Sequence, residues 1–166
     1  MRLLTAQRHL RAARRTVAQI VAQCVLYATH GEERSMGCAA ENEMVVKQDL
    51  KAVAEVRRFV RLVAGQWGMD DFVPCLVASE LVTNALQHAA SAADEEVILR
   101  LSRTEDDALW MEVQDAGCDL PHLLAADKSS ETGRGLFIVD QFARCWGIRA
   151  LADNAGKVVF AVIDRT

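Results

Sequence analysis

Residues 78 to 89 read ASELVTNALQHA, and this stretch limits the possible architecture more than any other. At a period of 3.6, Leu76, Val77, Leu81, Val82, Ala85 and Leu86 make a wide apolar stripe, which predicts a helix laid against a core. Polar groups interrupt it at a fixed interval: Glu80, Asn84 and His88 stand four apart and stack along one side, with Gln87 beside them. A carboxylate and an amide in such a helix are costly to desolvate unless something satisfies them. Two readings fit the row. It faces water, or it lines a site for a metal or a polar ligand.

The segments around it are of two kinds. From Leu50 to Trp67, valines 53, 56, 60 and 63 fall on one face, with Lys51, Glu55, Arg58 and Arg61 largely on another, an amphipathic helix that Gly68 is suited to end. Asp70 or Asp71 can cap the next helix ahead of Pro74. Residues 44 to 47, MVVK, suit a short edge strand. Val97, Leu99 and Leu101 alternate with Ile98, Arg100 and Ser102; a charged turn at Glu105 to Asp107 and the run Leu109 to Val113 complete a hairpin. Cys118 to Glu131 is loop-like, Gly135 to Ala143 is helical, and WGIRALADNAGKVVFAVID reads as a second hairpin turning at Asn154 to Gly156. Strand pairs beside segregated helices imply an α+β two-layer sandwich.

At 166 residues the chain has room for one sizeable core and one site. Its first part is organised differently. Residues 1 to about 30 carry an arginine-rich helical pattern, followed by the polar stretch HGEERSMGCAAENE, so we divide the sequence into an arm and linker at 1–43 and a domain at 44–166. The formal net charge of -4 provides no strong footprint for nucleic acid. Five cysteines, Cys24, Cys38, Cys75, Cys118 and Cys145, contain no CxxC pair and suggest neither a zinc site nor a disulfide framework, which points to reduced thiols in the cytoplasm. Residues 16 to 28 are apolar, but two glutamines interrupt them and they are too short to span a bilayer, so no membrane segment is expected.

Two further stretches give the polar row a context. Residues 113 to 117 read VQDAG, an apolar run ending in a carboxylate and then glycine; residues 132 to 139 read TGRGLFIV, glycines opening a helix. With ELVTN, in this order, they resemble the ATP-binding fold shared by gyrase, sensor histidine kinases and mismatch-repair ATPases, the GHKL superfamily. Within it the likeness is closest to the anti-sigma-factor serine kinases of bacteria and their actinobacterial relatives. It covers roughly residues 44 to 163. The resemblance implies a Bergerat-type fold, a mixed and mostly antiparallel sheet with helices on one face, and ATP with Mg2+ as the bound group.

It also implies roles for particular residues. Asn84 matches the asparagine that holds the metal, which suits a cation content with few protein oxygens when phosphates and waters supply the rest. Glu80, one helical turn or about 6 Å earlier, matches the general base. Asp115 matches the carboxylate that accepts from adenine's amino group, and Gly117 the glycine that lets the backbone pass near the ring. The usual second glycine of that box is Asp119 here, with Pro121 after it as in the actinobacterial relatives. Thr132, Gly133, Arg134, Gly135 and Leu136 match the second glycine box, whose backbone N–H groups and helix start face phosphates. His88 reads as a structural residue near the end of its helix.

The function that the resemblance implies is a Mg-dependent serine/threonine kinase acting as an anti-sigma factor or phosphorylating an anti-sigma-factor antagonist. The partners are then an anti-sigma-factor antagonist or a sigma factor, and the resemblance allows a homodimer; neither nucleic acid nor membrane is expected as a partner. A module that binds its partner with nucleotide but without turnover is the alternative. A histidine kinase fragment fits less well, because His9 in the arginine-rich arm makes a poor phosphoacceptor.

Overall fold

The computed structural model describes residues 42–47, 49, 51–88, 96–117 and 134–165. The arm at 1–43, apart from its last two residues, lies outside them, as do Cys24, Cys38, the loop from Cys118 to Glu131, Thr132 and Gly133.

Alternation of side chains builds the sheet. In β2 (Val97–Arg103), Val97, Leu99 and Leu101 are buried while the residues between them are partly exposed, and β3 (Leu109–Asp115) repeats the pattern through Leu109, Met111, Val113 and Asp115. The two strands pair antiparallel. Thr104 closes their turn: its N–H donates to Ala108 O at 2.9 Å, its hydroxyl accepts from the Ala108 N–H at 2.9 Å, and Asp107 takes the left-handed conformation at φ 66°. β1 (Asn42–Val46) adds to the outer edge of β2, and β5 (Lys157–Ile163) pairs with β3. β4 (Cys145–Ala150) folds back on β5 as the second hairpin. The order is β1-β2-β3-β5-β4, and each of these pairings is antiparallel.

Among the described residues, three helices cover one face. α1 (Ala52–Gln66) turns Val56, Val60 and Val63 inward. It ends in a Schellman arrangement: Gly68, at φ 63°, donates its N–H to Gly65 O at 3.2 Å, and the Met69 N–H donates to Ala64 O at 2.9 Å. α2 (Phe72–His88) starts where Asp70 Oδ1 accepts from the Phe72 N–H at 3.0 Å. The buried Ser79 joins the two helices, its hydroxyl donating to Cys75 O at 2.6 Å and accepting from Arg57 Nε at 2.8 Å. α3 (Arg134–Phe142) lies against α2. Val77, Leu81, Val82 and Ala85 of α2 share one core with the inward residues of β2, β3 and β5 and with Val139 of α3, each larger side chain contributing about 1.5–3 kcal/mol by its removal from water.

The opposite face covers itself. Trp110 and Phe160 stack with ring centroids 5.0 Å apart and planes 2° from parallel. Arg100 spans from Glu43 Oε2 at 2.7 Å to Gln114 Oε1 at 2.8 Å, so long polar side chains lie across the strands. Cys75 and Cys145 are buried, and burial pushes the Cys75 thiol pKa up. Among the described residues no helix is long and apolar enough to cross a membrane.

Candidate functional site

Asp115 closes the inward register of β3, in phase with Leu109, Met111 and Val113, so the alternation that builds the core also carries a carboxylate into it. It is 1% exposed. Directly opposite in the register stands Lys157, the first residue of β5, also 1% exposed. Lys157 Nζ donates to Asp115 Oδ1 at 2.8 Å and to Gly117 O at 3.0 Å, and the Gly117 N–H donates to Asp115 Oδ1 at 2.9 Å. One carboxylate oxygen is thus satisfied twice. The other, Oδ2, is buried with no donor. Such an acceptor costs about 1–3 kcal/mol, more when charged, unless an N–H is brought to it.

The second hairpin holds this end of β3 in place. Gly156 has φ 118°, and a Cβ there would lie 2.1 Å from Asp115 O and 2.6 Å from Ala116 Cα. Only glycine allows both that conformation and that approach. The turn between β4 and β5 is therefore pressed onto the backbone that carries Asp115, Ala116 and Gly117.

Glu80 and Asn84 lie one turn apart on α2, both partly buried, and neither has a hydrogen-bond or ion-pair partner among the described residues. Gln87 is exposed. The first turn of α3 comes directly against Glu80: a Cβ on Gly135 would lie 2.9 Å from Glu80 Oε2 and 3.7 Å from its Cβ. The absent side chain lets the helix start close on the carboxylate, at the end where backbone N–H groups are unpaired and the helix dipole is positive. Leu136 is partly buried and packs against the core. For Arg134 and His88 the backbone alone is described, in helix.

The structure therefore forms two groupings from the residues singled out in the sequence: Asp115 with Gly117, and Glu80 and Asn84 with Gly135. α2, which packs on both β3 and α3, joins them. Lys157 and Gly156 were missed as site residues. The signal for Lys157 was present, since KVVFAVI places the lysine in phase with Val159, Ala161 and Ile163, and an inward lysine is rare enough to stand out. Lys157 also modifies the argument from Asp115 alone, because the pair offers a donor as well as an acceptor.

The model of the histidine kinase-like ATPase domain family matches residues 46–163. The chain belongs to the histidine kinase-like ATPase domain family. Among solved structures it is similar to the histidine kinase domain from the Erythrobacter litoralis EL346 blue-light activated histidine kinase, with 18% identity, 95% of this chain and 91% of that chain covered, and a TM-score of 0.44. No curated protein matches it.

Proposed function

We propose that the chain binds ATP with Mg2+ at the ground between β3, α2 and the start of α3, and uses it as a regulatory serine/threonine kinase. The observation that carries the nucleotide reading is Asp115 Oδ2, a buried acceptor without a donor at the edge of the apolar core. Adenine's amino group supplies what that oxygen lacks. Asn84 offers a carbonyl oxygen on a rigid helix, enough for a magnesium ion that shares its shell with phosphates and waters.

Bound there, the nucleotide with its metal supplies an activated terminal phosphoryl group. In this reading Glu80 accepts the proton of an attacking hydroxyl, and the N-terminal turn of α3, which closes on Glu80 at Gly135, faces the phosphates. The substrate hydroxyl is that of a protein serine or threonine, the partner being an anti-sigma-factor antagonist or a sigma factor. That assignment rests on the likeness of the ELVTN, DAG and TGRGL boxes to the serine-kinase branch.

Calorimetric titration tests the binding. ATP binds only weakly without magnesium and tightly with it, GTP binds at least tenfold more weakly, and Asn84→Ala removes the magnesium dependence. Equal affinity for the two nucleotides would contradict the adenine assignment.

A further inference from the structure

We propose that Lys157 is a specificity-determining residue of the nucleotide site: its ammonium donates to the ring nitrogen N1 of adenine while Asp115 Oδ2 accepts from the adjoining amino group. This rests on the ATP reading above and adds to it which atoms of the base are read. A lysine ammonium has three N–H donors. Two are engaged, by Asp115 Oδ1 and Gly117 O, and among the described residues the third has no acceptor. Beside it, Asp115 Oδ1 is taken by two donors and Oδ2 by none. The buried pair thus retains one donor and one acceptor, at 1% exposure for each residue, where leaving either unpaired is costly.

That is the pattern an adenine edge requires. Adenine presents an amino donor next to a ring-nitrogen acceptor, whereas guanine presents a carbonyl acceptor next to an N–H donor, the reverse order. Holding Asp115 in place does not by itself require a lysine, because the Gly117 N–H already fixes Oδ1. Nor is stability a sufficient reason, since a buried ion pair is often no better than apolar side chains of similar size. A lysine drawn wholly inside, on a strand whose other inward residues are Val159, Ala161 and Ile163, is explained by what its remaining proton meets.

The test uses the full chain and base analogues, with dissociation constants measured by calorimetry in magnesium. The unaltered protein binds 1-deaza-ATP, in which N1 is a C–H, about tenfold or more less tightly than ATP, and purine riboside triphosphate, which lacks the amino group, also at least tenfold less tightly. Lys157→Met binds ATP and 1-deaza-ATP alike while still preferring ATP over the analogue without the amino group. The comparison of analogues on the unaltered protein needs no variant to fold. Equal affinity of that protein for ATP and 1-deaza-ATP, or an unchanged ratio in Lys157→Met, overturns the assignment of N1 and leaves the ATP site standing. GTP binding as tight as ATP also overturns it, because the ammonium would then meet the guanine carbonyl. Failure of the unaltered protein to bind any of these nucleotides overturns the ATP site itself, and this inference with it.

Discussion

Replacing Lys157 by methionine keeps most of the side-chain volume and removes the charge that faces Asp115. The two charged groups are 2.8 Å apart, and at an effective dielectric constant of about 20 their attraction is about 6 kcal/mol. Desolvation of both groups offsets much of that, so the pair adds little over an apolar one; the consequence of breaking it is larger. A buried carboxylate left without its cation costs about 3–5 kcal/mol, against a total stability of about 5–15 kcal/mol for a domain of this kind. In urea, with a slope near 2 kcal/mol per molar, the unfolding midpoint of Lys157→Met falls by about 2 M. Asp115→Asn alone strands the ammonium and costs a similar amount. The double variant Asp115→Asn with Lys157→Met removes both charges and recovers most of the loss, ending within about 1.5 kcal/mol of the unaltered protein, a coupling of at least about 4.5 kcal/mol. Single variants that each cost less than about 1 kcal/mol and simply add would refute the reasoning, because the two groups would then be neither buried together nor dependent on each other.

Other predictions concern the α2–α3 contact and the acid side of stability. Glu80→Ala retains ATP affinity but loses phosphoryl transfer to the protein partner by about 10²–10⁴-fold, measured with labelled ATP. Gly135→Ala meets only the mobile end of Glu80, so it should cost less than about 1 kcal/mol in thermal unfolding while lowering transfer through the displaced carboxylate. In the first hairpin, the Thr104 hydroxyl bond and then Arg144 hold the Asp106 carboxyl pKa below its ordinary value. A depressed folded pKa contributes stability above the unfolded value of about 3.9 and loses it as the pH falls through the folded value. Thr104→Ala should therefore flatten the decline in stability below pH 4, seen by urea titration at a series of pH values; an unchanged slope would contradict this.

The local rules were enough for much of the fold. Alternation located both hairpins, the 3.6 period located α1 and α2, and Gly68 and Asp70 bound them as their conformational preferences require. The β3–β5 pairing and the addition of β1 to β2 are contacts between distant segments, which no local periodicity encodes. The same holds for the site. Glu80, Asn84 and Asp115 were visible because each breaks an apolar pattern. The approach of Gly135 to Glu80 and of Gly156 to Asp115 is a property of packing; Gly135 was singled out only through its glycine box, and Gly156 does not stand out from other turn glycines until its neighbour is known. Lys157 was not singled out, because it directly follows the turn at Asn154 to Gly156, although the strand's own phase turns it inward.

All of this depends on one nucleotide reaching both groupings at once. Manganese can replace magnesium and broadens the NMR signals of nearby nuclei, so a titration of labelled protein with substoichiometric Mn-ATP reads out the metal's position directly. The account predicts that amide signals of residues 80, 84 and 135 broaden together, that those at 115 to 117 shift with ATP, and that signals at 109 and 163, at the far end of the β3–β5 pair, do neither. Broadening centred elsewhere, or loss of signal at 84 without any response at 115, would contradict it.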